Sequence, residues 1–152
     1  VKAMVVYDSV HGNTERIARR IAAALAQPGE EVPCFRAVDM SAQAVASVDL
    51  LVVGAPTYGG RPTPAMRSFL AQLAAGSLAG KRVAAFDTRL VAKWVGVFGF
   101  AAGRIDATLQ QRGGRQAAAP EGFYVLDGKG PLRDGELERA DQWARGLLPA
   151  GG

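Results

Sequence analysis

The stretch YDSVHGNTERIA, residues 7–18, joins two patterns of different period. Before it, KAMVVYD (Lys2–Asp8) is a nearly continuous apolar run rich in Val, the signature of a strand buried on both faces. After it, Ile17, Ile21 and Leu25 fall on one stripe, which predicts a helix to about Ala26. Between them the chain turns small and polar from Ser9 to Asn13. A strand feeding directly into a helix brings the helix's unpaired first amides and its positive dipole end to the strand terminus, where they attract an anion. Gly12 would let the backbone approach such a ligand, while Ser9, Asn13 and Thr14 offer neutral hydrogen-bonding groups. The same residues also suit a plain turn in which Asn13 or Thr14 caps the helix.

Working outward, strand-like runs alternate with helical patterns along the whole chain. PGE (Pro28–Glu30) ends the first helix, and EVPCFR (Glu31–Arg36) reads as a second strand, placed at an edge because Pro33 removes a ladder donor. DLLVVGA (Asp49–Ala55) is the strongest central-strand signal. A helix from about Pro64 to Ala75 follows, with Thr63 and Pro64 at its start. GKRVAAFD (Gly80–Asp87) predicts a fourth strand and Ala101–Gln111 a helix. A fifth strand ends at FYVLDG (Phe123–Gly128), beginning near Gln116, and a closing helix runs from about Leu137 to Leu148. Five strands separated by helices predict one α/β domain over residues 1–152, a three-layer sandwich. Its parallel sheet is expected in the order 2-1-3-4-5, with helices on both faces. In such a sheet ligands sit beyond the carboxyl ends of the strands, so the loops after strands one, three and four should surround one crevice.

Composition narrows the chemistry. Hydrophobic residues make up 49% and charged residues 21% of the 152 residues, as in a globular protein and unlike a disordered one. No apolar run is long enough to span a bilayer, since Val91–Ala102 is interrupted by Lys93, and the start shows no leader pattern. One cysteine, Cys34, excludes an internal disulfide framework and fits a reducing cytoplasm, the expected location. One histidine and one cysteine supply neither a catalytic nucleophile set nor a metal site, so no catalytic or metal-ligating residue is assigned. The net charge is +4, but the basic residues are scattered along the chain and no aromatic-interleaved basic tract occurs, so nucleic acid is not expected as a partner.

Two further loops carry candidate ligand contacts. In GAPTYGG (Gly54–Gly60), Thr57 and Tyr58 offer hydrogen bonds and an aromatic face for a planar ring, and Gly59 and Gly60 clear side chains from its edge. In FDTRLVAKWVGVFGFAAG (Phe86–Gly103), Asp87 and Thr88 would open a carbonyl-rich turn facing a polar ring edge, with Arg89 beside it. Trp94, Phe98 and Phe100 are alternative covers for such a ring, with Trp94 placed first.

Ser9-x-His11-Gly12-x-Thr14 resembles the phosphate signature of the flavodoxin family, [S/T]-x-T-G-x-T, with His11 replacing the usual Thr. GAPTYGG is similar to that family's flavin-contacting loop, and the order of strands and helices matches over nearly the whole chain. The lack of a long insertion in the last strand resembles the short-chain branch. The resemblance implies an FMN-binding electron carrier. Ser9, Val10, His11, Gly12, Asn13 and Thr14 would hold the phosphate, and Pro56, Thr57, Tyr58, Gly59, Gly60, Asp87, Thr88, Arg89 and Trp94 would surround the flavin. It further implies that a peptide near Gly59 bonds the flavin's central nitrogen. The fourth loop departs from the family in lacking a Gly-Asp start and a clear stacking tyrosine.

Typical flavodoxins are acidic, whereas this chain is basic. Arg61, Arg89 and Lys93 are therefore expected to favour an anionic reduced flavin, and the charge to favour acidic redox proteins or a quinone-like acceptor. The alternatives are an FMN-dependent oxidoreductase acting on a quinone or porphyrin-type substrate, and a flavin-free binding or regulatory domain. A phospho-acceptor receiver would need an acidic residue where Gly54-Ala55-Pro56 stands.

Overall fold

The computed structural model describes residues 1–91 and 99–149. Along the chain come β1 (Ala3–Tyr7), α1 (Asn13–Leu25), β2 (Cys34–Arg36), β3 (Leu50–Pro56) and α2 (Pro64–Ala71). They are followed by β4 (Arg82–Leu90), α3 (Ala101–Gln111), β5 (Arg115–Gln116), β6 (Glu121–Val125) and α4 (Glu136–Gly146). Short 3-10 turns at Ala37–Asp39 and Ala42–Ser47 fill the connection from β2 to β3. The strands pair in parallel in the expected order β2-β1-β3-β4-β5, and a sixth, β6, also pairs with β4.

The interior follows from the two-residue period of the strands. Val5 and Tyr7 of β1, Val52 of β3 and Phe86 of β4 face α1 and α4, where they meet Ile17, Ile21 and Ala140. Their neighbours Met4, Val6, Leu51, Val53, Val83 and Ala85 point to the opposite face and pack on Met66, Phe69 and Ile105 of α2 and α3. Both faces are covered, which is why β1 and β3 read as unbroken apolar runs. Phe86, Phe123 and Trp143 form an edge-to-face triad with ring centroids 6.1–6.2 Å apart, seating α4 on β4 and β6.

Three strands differ from the sequence reading for identifiable reasons. The predicted fifth strand is divided: Gln116 lies opposite Val83 and Glu121 opposite Phe86, so five steps of chain face three on β4. The two surplus residues, with Pro120 lacking an amide donor, break the ladder. β4 itself runs three residues past its predicted end at Asp87, through Thr88 and Arg89 to Leu90. β2 is shorter than expected and starts after Pro33, at the sheet edge. Burial on β2 pushes the Cys34 thiol up to about 11, so it remains an un-ionised core-edge side chain at neutral pH.

α4 begins with a buried carboxylate that holds it to the sheet. Glu136 accepts the Tyr124 amide of β6 at 2.7 Å, Arg133 at 3.1 Å and Arg139 at 2.6 Å. Burial alone would raise its pKa, but these donors outweigh it and hold the carboxyl below its ordinary range. A depressed folded-state pKa stabilises the fold above the ordinary carboxylate pKa, and that contribution is lost as pH falls through the folded value. Urea unfolding of Glu136→Gln is therefore expected to start from lower stability near neutrality and to decline less than the wild type below about pH 4.5. Parallel decline of the two proteins would contradict the linkage.

Candidate functional site

The carboxyl ends of β1, β3 and β4 open onto one cleft of about 470 Å³. Its first wall is the turn from β1 into α1. Gly12 takes the left-handed conformation, φ 89°, and its amide donates to Ser9 Oγ at 3.1 Å. The first helical bond runs from the Arg16 amide to the Gly12 carbonyl, so the amides of Asn13, Thr14 and Glu15 find no acceptor inside the helix. No side chain caps α1. Asn13 instead donates to the Lys129 carbonyl at 3.1 Å, and Thr14 Oγ1 shares a buried 2.7 Å hydrogen bond with Thr88 Oγ1 on β4. The capping role considered for these two residues is thus absent, and both tie the start of α1 to other parts of the cleft.

A carboxylate adjoins this turn, and its charge is matched. Thr63 Oγ1 donates to Asp8 Oδ2, and the Arg36 guanidinium stands 3.8 Å from Oδ1 while donating to the Ser9 carbonyl at 3.0 Å. Arg36 comes from β2, the neighbouring strand, and lies over the Tyr7 ring at 5.5 Å. The sequence reading did not single it out. Parallel register is the signal, because Tyr7 lies opposite Arg36.

The second wall is a tight hairpin. Tyr58 and Arg61 exchange amide–carbonyl bonds of 2.8 and 2.9 Å around Gly59 (φ 56°) and Gly60 (φ 78°), the pattern of a type I′ turn. Both central positions lie in the region that favours glycine, so GG is a requirement of the turn. Thr57 Oγ1 accepts the Ala101 amide at 2.9 Å, and Arg104 Nε donates to the Gly60 carbonyl at 2.7 Å, which locks the hairpin to the first turn of α3. Among the described residues, Gly59 makes no backbone hydrogen bond.

The third segment is strand where a ring-reading turn was expected. Asp87 is fully buried within β4, its carboxylate engaged by Arg89 at 2.7 and 2.9 Å and by the Ala102 amide at 2.9 Å. Asp87 and Arg89 sit two residues apart on one strand face, so they can pair and remain in the sheet. The Arg89 guanidinium stacks 3.5 Å above Phe100. Asp87 thus positions Arg89 and the start of α3 and does not line the cleft, whereas Thr88 and Arg89 do.

Of the predicted residues, the cleft gathers Ser9, Val10, His11, Asn13, Thr14, Pro56, Thr57, Tyr58, Thr88 and Arg89. Gly12, Gly59 and Gly60 shape its turns without lining it. Leu90, Val125 and Gly128 also line it, and sequence reasoning missed all three. Phe100 is engaged by Arg89, while Lys93, Trp94 and Phe98 lie outside the described residues. Val10, Tyr58, Val91 and Leu126, each 45–58% exposed, put large apolar side chains in the loops around the mouth. Among the described residues no cluster of potential metal ligands occurs, and no helix is long and apolar enough to cross a membrane.

Comparison with known proteins matches this architecture. A family model for the flavodoxin domain matches residues 4–129. Flavodoxin 2 from Bacillus cereus, solved in its oxidised form, is 24% identical with a TM-score of 0.82, each chain covering 97% of the other. A short-chain flavodoxin associated with a non-canonical PDU bacterial microcompartment is 21% identical over 100% of both chains, with a TM-score of 0.81. Rubredoxin oxygen:oxidoreductase from Desulfovibrio gigas is 19% identical with a TM-score of 0.75, covering 95% of this chain and 34% of its own. No curated protein gives a match.

The Thr14–Thr88 bond yields a direct test. Thr14→Val or Thr88→Val strands the other buried hydroxyl and is expected to cost about 1–3 kcal/mol of unfolding free energy in the absence of flavin. The double variant should recover a large part of that loss, because no orphaned group remains. Additive losses in urea titrations would show that the pair is not coupled.

Proposed function

The chain belongs to the flavodoxin domain family, and from that membership together with the cleft we propose that it binds FMN and carries electrons between redox partners. The observation that carries this reading is the convergence at the carboxyl end of the sheet of three unpaired helix-start amides, two threonine hydroxyls and an apolar-rimmed cleft. The residues present fit the cofactor. Amides of Asn13, Thr14 and Glu15 with the hydroxyls of Ser9 and Thr14 would hold the phosphate, and Arg36 offsets the repulsion from Asp8. Tyr58, nearly half exposed on the hairpin, would offer its ring to the flavin, and the Gly59 peptide is free to bond the ring's edge. Bound FMN supplies the redox chemistry, storing electrons on its ring system, and the protein sets affinity and potential through these contacts.

Among the described residues, the charge expectation narrows to one. Arg89 is compensated by Asp87, so its field at the cleft falls off as that of an ion pair. Arg61 has no compensating carboxylate among the described residues, and it stands on the hairpin itself. It is the residue through which a reduced, anionic flavin would be favoured. Redox partner proteins are the proposed electron donors and acceptors of this carrier.

Purified protein incubated with FMN and gel-filtered is expected to carry flavin absorption at one equivalent, and a colourless, unreconstitutable protein would sink the proposal. In the flavin-loaded protein, Arg61→Glu is expected to lower the reduction potential by about a few tens of millivolts. An unchanged potential would remove the electrostatic account while leaving flavin binding intact.

A further inference from the structure

Charge is divided unevenly between two parts of the chain. Residues 50–120, which include α2 and α3, hold nine Lys and Arg against two Asp. The other 81 residues, which include α1 and α4, hold nine Lys and Arg against twelve Asp and Glu. Both Asp of the basic segment are buried: Asp87 is paired with Arg89, and Asp106 accepts hydrogen bonds from Gln110 and Gln116. Neither α2 nor α3 therefore shows a carboxylate to solvent. Four basic residues of this segment, far apart in sequence, are brought by the fold around one groove.

The groove, of about 720 Å³, lies between α2 and α3 and is lined by Arg61, Arg67, Arg104 and Arg112 over a floor that includes Leu70 and Ala71. Arg112 is fixed by donating to the Leu73 carbonyl at 2.7 Å, and Arg104 by its bond to Gly60. The groove thus has two anchored guanidiniums and two exposed ones, and it begins at the hairpin that walls the cleft.

We propose that this α2–α3 groove docks a carboxylate-rich surface of a partner protein, next to the site where electrons would enter or leave. The inference rests on the carrier reading given above for its purpose, but the groove's own chemistry stands without flavin. Guanidinium forks pair bidentately with carboxylates, and the apolar floor accepts the side chains between them. Nucleic acid fits less well, because the groove lining contains no aromatic ring on which a base could stack. Four guanidiniums on a face where α2 and α3 expose no carboxylate would draw an acidic protein toward it before contact.

The test uses flavin-free protein and a fluorescein-labelled decaglutamate peptide, read by fluorescence anisotropy. Binding is expected to weaken as salt rises and to fall at least about tenfold in Arg67→Glu or Arg61→Glu. Arg145→Glu, on α4, should leave binding unchanged. Absence of binding, equal loss in Arg145→Glu, or tighter binding of a duplex DNA oligonucleotide or phosphatidylglycerol vesicles under the same conditions would each overturn the proposal. Circular dichroism of the variants confirms that they fold, and two exposed positions guard against a local defect at either. Because FMN is absent, failure here leaves the flavin reading untouched, and failure of flavin binding leaves this result untouched.

Discussion

Everything at the cleft depends on amides that a helix cannot satisfy by itself. α1 starts within six residues of the last residue of a buried strand, and its first internal hydrogen bond belongs to the Arg16 amide. No side chain closes the end, because Asn13 and Thr14 reach instead to Lys129 and Thr88. The result is a set of aimed donors at a fixed place at the carboxyl end of the sheet, backed by the helix dipole. The 2.7 Å bond between Thr14 and Thr88 matters because it joins that helix start to β4, 74 residues away, and so holds two walls of the cleft at one spacing.

The same economy of contacts holds the remaining wall. The Tyr58–Arg61 hairpin is tied at Thr57 and Gly60 to the first turn of α3, and the same turn donates to Asp87 through Ala102. One buried carboxylate therefore sets Arg89 and the α3 terminus together. Asp8 follows β1 and Asp87 lies buried within β4, and both are matched by an arginine from the same sheet. Charge is balanced by ion pairs around the cleft, whereas α2 and α3 expose no carboxylate beside the groove arginines.

Much of the fold was legible because parallel strands buried on both faces leave plain signals. The valine runs of β1 and β3, the helical stripe of α1 and the bounds of α3 at Ala101–Gln111 all follow from burial period alone. The residues of the β1–α1 turn and of the Tyr58–Arg61 hairpin were legible as turns because glycines and small polar residues interrupt those runs. The misreadings share one cause, which is polar or irregular sequence whose partners are distant. Asp87-Thr88-Arg89 looks like a loop until Asp87 is seen paired with Arg89 and Thr88 bonded to Thr14. Leu90, Val125 and Gly128 read as ordinary strand and turn residues and line the cleft only through pairing of β6 with β4. The arginine-lined groove is likewise invisible to local windows, since α2 and α3 are brought together only by the sheet.

The central claim is that the amides at the start of α1 grip a phosphate, and comparing FMN with riboflavin, which lacks that phosphate, tests it most directly. Fluorescence-quenching titrations of the flavin-free protein should show riboflavin binding at least about a hundredfold more weakly than FMN, the worth of two or more charge-assisted hydrogen bonds. Equal affinities for the two flavins would place the binding energy elsewhere and contradict the account.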